Sequence, residues 1–263
     1  MGKIAVVTGA SSGIGRCTAE ALRDMGCVVY DLSRRDIPIK NVKHIKTDIT
    51  KQEDVTSAIK EIIANEGRID ILVNCAGFGI SGAVEFTTTE EAKSQFEVNF
   101  FGAVTVTRAV LPYMREQHSG RIVNISSVAA VAHIPFQTYY SASKAAIESY
   151  TCCLDNEVKA FGIRVTAVAP GDICTEFTGA RQKSFDGDDI YGGRISRSVA
   201  GMEKDEQKGM SPEVAGKYIA KVALKKRVKP VSAIGVSYKF LSVLCKTFPC
   251  KFRNYVVGML YAK

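Results

Sequence analysis

Short apolar runs alternate with longer amphipathic stretches along most of this chain. KIAVVTG is apolar and ends in a turn; IGRCTAEALRDMG after it has helical spacing of apolar residues and a closing Gly26. CVVYDLS predicts a second strand and VKHIKTD a third, before a helix over KQEDVTSAIKEIIANEG that stops at Gly67. IDILVNCAG, RIVNISS and IRVTAVAPG also have the composition of strands. Between them, EEAKSQFEVNFFGAVTVTRAVLPYMREQHSG predicts one long helix ending near Gly120, and TYYSASKAAIESYTCCLDNEVKAFG another. SPEVAGKYIAKVALKK opens with Ser211 as N-cap, Pro212 in the first helical position and Glu213 behind it. This alternation predicts parallel βαβ units: an α/β protein with one doubly wound parallel sheet of about seven strands, flanked by helices. No linker divides the chain, so residues 1–263 form one domain.

Two segments depart from the rhythm. Residues 179–210 are polar and glycine-rich, long for a loop, and predict a lid over a substrate or a surface insertion. The stretch 238–263 holds two amphipathic helices separated by Pro249. Phe240, Leu241, Leu244 and Phe248 share one face; Phe252, Tyr255, Val256, Met259 and Leu260 share the other. Such stripes pack on a core, wall a greasy pocket, join copies of the chain or rest on lipid.

Charge sharpens the picture of this tail. The net charge is +8, yet residues 221–263 carry ten Lys/Arg and no Asp or Glu. The rest of the chain is close to neutral, so the basic excess belongs to the tail. It reads as a solvated face or as contact with an anionic membrane or substrate. Nucleic acid is not expected, because the aromatics sit at helical packing spacing. Eight cysteines show neither a disulfide framework nor a zinc-binding CxxC pattern; this predicts reduced thiols in a cytoplasmic protein and no metal. No signal peptide or myristoylation signal is recognisable, and no apolar run reaches transmembrane length.

TGASSGIG at 8–15 joins the first strand to the first helix. Gly9, Gly13 and Gly15 let a backbone with free N–H groups approach a pyrophosphate. The spacing is GxxxGxG, so the GxGxxG fingerprint is only partly met. The same residues spell GxSxG, with Ser11 as a serine-hydrolase nucleophile; that reading needs a later His, and only His44, His118 and His133 exist. The second strand bears on the cofactor. Asp31 would bind the ribose of NAD(H); Ser33, Arg34 and Arg35 just beyond it suit the 2′-phosphate of NADP(H), which is preferred.

Tyr140 and Lys144 stand four apart, one turn along a helical face; Tyr139 and Lys144 are roughly 140° apart. An ammonium near a phenol favours the phenolate and lowers its pKa toward useful acid–base chemistry. Ser126 and Ser127 fall at the carboxyl end of a strand, where ligands bind in doubly wound sheets and where a hydroxyl can hold a carbonyl oxygen.

TGASSGIG, Asp48 in TDIT, NCAG at 74–77, Asn99 in VNFFG, ISS at 125–127, YSASK at 140–144 and PGDICT at 170–175 occur in this order. In this pattern the chain resembles the short-chain dehydrogenase/reductase family, a Rossmann-type fold, over residues 4 to about 178. The resemblance implies that Tyr140 is the acid–base residue, that Lys144 lowers its pKa and binds the nicotinamide ribose, that Ser127 rather than Ser126 holds the substrate oxygen, and that Asn99 supports a proton-relaying water. It implies cofactor contacts from Gly9, Ser11, Ser12, Gly13, Ile14 and Gly15, from Ser33, Arg34 and Arg35, and from Asp48 and Ile49 at the adenine. It adds Asn74, Ala76 and Gly77 on the central strand, and Pro170, Gly171, Ile173 and Thr175 near the carboxamide. Cys75 stands where the family usually has Asn.

Substrate contacts are expected from Ser127, His133, Gln137, Tyr140 and Phe177. The combination of GFGISGAVE, PFQTYYSASK and FGIRVTAVAPGDICTEFT resembles the hydroxysteroid and retinoid branch. The first expectation is therefore an NADP(H)-dependent hydroxysteroid dehydrogenase. The alternative is a reductase of long-chain keto lipids, such as acyl-dihydroxyacetone-phosphate, or of retinoids. A non-catalytic cofactor binder would show a damaged catalytic set, and this one is intact. A homodimer or homotetramer is expected, with peripheral membrane contact through the tail as a further reading.

Overall fold

The computed structural model describes residues 2–261, apart from the side chain of Lys246. β1 (Ile4–Thr8) is buried at every residue. Ala5 and Val7 point into one core and Ile4 and Val6 into another. A strand covered on both faces has to be apolar throughout, which is why KIAVVTG reads as a run and not as an alternation. α1 (Gly13–Asp24), β2 (Val28–Ser33), β3 (Val42–Lys46), α2 (Gln52–Glu66) and β4 (Ile71–Asn74) follow. Gly67 closes α2 in the left-handed region, φ 73°. Then come the short β5 (Ile80–Ser81), α3 (Thr89–Phe96), α4 (Ala103–Glu116), β6 (Gly120–Ile125), the short α5 (Ala129–Ala132), α6 (Thr138–Val158) and β7 (Ile163–Ala169).

The main sheet is parallel, in the order β3-β2-β1-β4-β6-β7. A seventh strand, β9, is added beyond β7, as described below. The direction of winding reverses between β1 and β4, and a ligand crevice opens beyond the carboxyl ends of the strands at such a point. α2, α4 and α6 cover one face of the sheet.

The long helix expected up to Gly120 is interrupted. A π-helical turn, Glu97–Gly102, separates α3 from α4, and the helix ends at Glu116. Gly120 already belongs to β6. A π turn carries an extra residue per turn and re-aims the side chains within it, here Asn99.

Residues 179–210 are more structured than a loop. α7 (Phe177–Ala180) leads to β8 (Gln182–Lys183), which pairs with β5 in a second, two-stranded sheet. α8 (Arg194–Gln207) buries Ile195, Val199 and Met202 against Ala83 and Phe136. α9 (Pro212–Leu224) starts at the Ser211-Pro212 signal and joins α1 in covering the other face of the sheet. β9 (Val231–Ala233) pairs with β7; its three residues follow Pro230 and carry too little periodicity to be assigned from sequence. α10 (Val236–Thr247) and α11 (Cys250–Tyr261) form the tail, broken at Pro249 as expected. α11 packs on α8 and α5, and α10 on α5. Ala262 and Lys263, the end of the tail segment, lie outside the described residues.

Asp31 of β2 ties this scaffold to the glycine turn. Its carboxylate is buried, accepts the Ala10 N–H at 3.0 Å and the Ser33 hydroxyl at 2.7 Å, and lies 3.0 Å from Nδ1 of His44. Removing a buried acceptor leaves its donors unsatisfied. Asp31→Ala is expected to destabilise the fold by about 3 kcal/mol, seen as a lower urea midpoint with an unchanged slope; an unchanged midpoint would refute this role.

Candidate active site

The crevice at the carboxyl edge of the sheet is a cavity of about 950 Å³. At one end lies the turn between β1 and α1. Gly9 has φ 69°, and a Cβ there would stand 2.7 Å from Cα of Ala76, so a side chain is excluded and the turn backbone stays bare. The N-terminus of α1 faces the same space, as a pyrophosphate requires. Ser11, Ser12, Gly13, Ile14 and Gly15 line it with Gly9.

Ser33, Arg34 and Arg35 line the adjoining wall. Nη2 of Arg35 donates to Oγ of Ser11 at 3.1 Å and of Ser12 at 3.2 Å. Asp31 is not part of this wall, because its carboxylate is used inside the sheet. Asp48 and Ile49 line the cavity too. Burial works against the charge of Asp48, but hydrogen bonds from Thr50 and the nearby Arg34 win and hold its carboxyl below the usual value. Ala76, Gly77, Pro170, Gly171, Ile173 and Thr175 complete the cofactor-sized part of the wall. Asn74 does not reach it. Its Nδ2 donates to Oδ1 of Asn124 at 2.9 Å and Oγ1 of Thr107 at 3.0 Å, cross-linking β4, β6 and α4.

The reactive end is built from β6 and α6. Lys144 is buried and its Nζ donates to the carbonyl of Ile125, the last residue of β6, at 2.9 Å. The same Nζ lies 5.7 Å from the ring centroid of Tyr140. Tyr140 and Ser127 both face the cavity, and the Ser127 hydroxyl favours the ionised phenol. The hydroxyl of Ser126 is occupied elsewhere, donating to the carbonyl of Lys144 at 3.1 Å and to Glu148 at 3.0 Å. Tyr139, half-buried, does not line the cavity.

The electrostatics differ from the sequence expectation in one respect. Burial raises the Tyr140 phenol above its ordinary value, while Ser127 and then Arg181 pull it down. Burial also pushes Lys144 down to about 8. Burial outweighs the pulls of Ser127 and Arg181, and the net effect keeps the phenol protonated near neutral pH. A proton donor to a ketone needs that state.

Asn99 is buried in the π turn. It accepts from the Phe78 N–H at 3.0 Å and donates to the Phe78 carbonyl at 2.9 Å and to Ser143 at 3.2 Å. A Cβ on Gly77 would lie 3.1 Å from Oδ1 of Asn99 and 3.6 Å from Nζ of Lys144, so the bare Gly77 leaves the space beside both groups open. Gln137 and Phe177 line the cavity, the Phe177 ring centroid 5.8 Å from that of Tyr140. His133 does not. It is exposed, and its Nδ1 lies 3.4 Å from Oδ1 of Asn254 on α11. The hydrolase reading finds no support: Oγ of Ser11 takes its hydrogen bond from Arg35, and no histidine reaches it among the described residues.

The far wall comes from the tail. Leu241, Leu244, Cys245, Phe248, Phe252 and Val256 line the cavity, as do Leu260 and Tyr261. Only part of each expected stripe is used, because Phe240, Tyr255 and Met259 face outward. Sequence reading missed Asp172, Glu206, Tyr238 and Arg253 in this wall. They come from four separate elements, and no local spacing links them.

A family model described as short chain dehydrogenase matches residues 3–185. The chain is 39% identical to the 3-ketodihydrosphingosine reductase of Bacteroides thetaiotaomicron, over 99% of this chain and 98% of that protein. Its fold is similar to the crystal structure of a short-chain dehydrogenase from Streptomyces avermitilis, with TM-score 0.82 and 34% identity over 92% of this chain and 91% of that one. Two further similar structures hold cofactors. The 3-ketoacyl-(acyl-carrier-protein) reductase of Brucella melitensis is complexed with NADH (25% identity, TM-score 0.75, 89% of this chain and 96% of that one). ElxO has NADP bound (26% identity, TM-score 0.76, 90% and 99%). With the glycine turn, the serine, the tyrosine and the lysine gathered in one cavity, the chain belongs to the short-chain dehydrogenase/reductase family and is an oxidoreductase that acts on a CH–OH or ketone substrate with NAD(P).

Proposed function

We propose that this protein reduces the ketone of a long-chain lipid, with NADPH as the preferred donor. The observation that carries this reading is the greasy wall that α10 and α11 build onto the catalytic cavity. An alkyl chain laid there removes apolar surface from water at about 25 cal/mol per Å². The relative matched over nearly its whole length is named a 3-ketodihydrosphingosine reductase, which fits such a chain. None of the proteins compared above is named for a steroid, so the lipid reading replaces the hydroxysteroid as the first choice.

The nicotinamide supplies a hydride when bound. Tyr140 gives its phenolic proton to the substrate oxygen as the carbonyl is reduced. Ser127 holds that oxygen and orients the phenol. Lys144 keeps a positive charge next to the deprotonated tyrosine, and Asn99 holds the neighbouring backbone through Phe78. Arg34 and Arg35 support NADPH, since guanidinium forks suit a phosphate dianion and Asp31 is turned away.

The outer surface of the tail supports access from a membrane. Phe248, Phe252 and Leu260 line the cavity and are also exposed, which places them at its mouth. Val236, Phe240 and Tyr255 stand exposed nearby, at 84%, 65% and 65%. The ten basic residues of 221–263, with no acid among them, suit an anionic lipid surface.

Three outcomes are expected. Tyr140→Phe lowers kcat for long-chain ketone reduction by about a thousandfold, with NADPH binding by fluorescence unchanged; surviving turnover would overturn the mechanism. Arg34→Ala raises KM for NADPH about tenfold and leaves KM for NADH in place, and equal changes in both would remove the phosphate assignment. The full chain floats with vesicles containing phosphatidylserine and less with neutral ones, whereas the double variant Phe240→Ser, Tyr255→Ser stays at the bottom; equal recovery of both proteins would exclude membrane contact.

A further inference from the structure

The substrate end of the cavity holds a carboxylate with no cationic partner in the wall. Asp172 follows Gly171 in the turn after β7 and lines the cavity. Its Oδ2 accepts from the phenol of Tyr238 at 2.5 Å. No Lys or Arg forms an ion pair with it among the described residues. Of the other acids nearby, Glu176 lines the cavity but is exposed to water, and Glu206 and Asp205 have partners. Glu206 is paired with Arg181 and accepts from Thr178 at 2.6 Å, and Asp205 accepts from Tyr261 at 3.0 Å.

A half-buried carboxylate facing greasy walls is costly unless a cation joins it. Consistent with that cost, burial raises the Asp172 carboxyl above its ordinary value, with Asp205 and Glu206 adding to it and Tyr238 and Arg181 opposing. Asp172 is also near the reaction centre: Pro170, two residues before it, accepts the N–H of Val128, the residue after Ser127, at 2.9 Å. A ligand group that answers Asp172 therefore sits close to the reacting carbonyl, while the rest of the ligand runs along α10 and α11.

We propose that Asp172 is the subsite for a primary ammonium carried on the carbon next to the substrate ketone. The inference rests on the long-chain ketone reading and narrows it to 2-amino-3-keto lipids, the sphingoid-base class. An ammonium there supplies the missing countercharge and a charge-assisted hydrogen bond, which fixes which face of the carbonyl meets Ser127 and Tyr140. The same carboxylate repels a phosphate head group, so acyl-dihydroxyacetone-phosphate is disfavoured.

The test compares a long-chain 2-amino-3-ketone with the same ketone lacking the amine, for the wild type, Asp172→Asn and Tyr238→Phe. Asn keeps the size of Asp172 and still accepts from Tyr238, so α10 stays anchored. The expected result is that the ratio of kcat/KM, amino ketone over neutral ketone, falls by about tenfold or more in Asp172→Asn and holds in Tyr238→Phe. A purely structural Asp172 would change both substrates equally, and an unchanged ratio overturns the proposal. Binding of octylamine against octanol to the NADPH complex gives a readout without turnover: the wild type prefers the amine and Asp172→Asn loses the preference. If the wild type reduces neither ketone, the lipid reading fails, and the amine comparison still decides Asp172, equal affinity in the wild type overturning it.

Discussion

A buried ammonium needs acceptors inside the protein, and the carbonyl of Ile125 at the end of β6 provides one, 2.9 Å from Nζ of Lys144. That bond holds α6 against the carboxyl edge of the sheet. Once α6 is held, Tyr140, one turn before Lys144, is set over the cavity, and Ser127, just past the end of β6, faces the same space. Ser126 reinforces the junction from below by donating to the carbonyl of Lys144. Asn99 secures the third side through Phe78 and Ser143. The tyrosine and lysine are thus carried by one helix, and Ser127 stands just past a strand end, which suits chemistry that tolerates little misplacement.

The same cavity has two electrical characters. Near the glycine turn, Arg34, Arg35 and the bare N-terminus of α1 make it positive, as a phosphorylated cofactor needs. Past Tyr140, Asp172, Glu176 and Glu206 enter, Glu206 neutralised by Arg181, and the walls turn apolar. The basic residues of the tail contribute little to this inner surface. Arg253 is the exception, and one of its nitrogens already donates to the carbonyl of Cys245 at 2.6 Å. The net charge of the tail therefore says more about what surrounds the protein than about what it binds inside.

Much of this was legible in the chain itself. Six of the seven strands of the main sheet were visible in the sequence, five of them as mostly apolar runs, because a sheet covered on both faces leaves few polar positions in its centre. Helix ends at Gly67 and Ser211-Pro212 came from local backbone chemistry. Spacing chose Tyr140 over Tyr139 beside Lys144, since one helical turn is a local constraint, and the serines at the strand end marked the pair as a site. The π turn at Asn99 was not visible, because i→i+4 and i→i+5 ladders accept the same residues and packing on neighbouring elements chooses between them. Residues 179–210 looked like loop for a similar reason. Their order comes from a small core shared with Ala83 and Phe136, far away in sequence.

By itself the sequence determined the parallel α/β architecture, the nucleotide turn and the tyrosine–lysine pair, all of which follow from periodicity and from motifs within a few residues of one another. Tertiary structure alone decided that Asp31 belongs to the sheet, that Asn74 cross-links strands, that His133 turns to α11 and that Asp172 lines the cavity. Each of those side chains has more than one use open to it in an isolated segment. Which one is realised depends on the partner that folding brings within hydrogen-bond distance, and that partner lies tens of residues away.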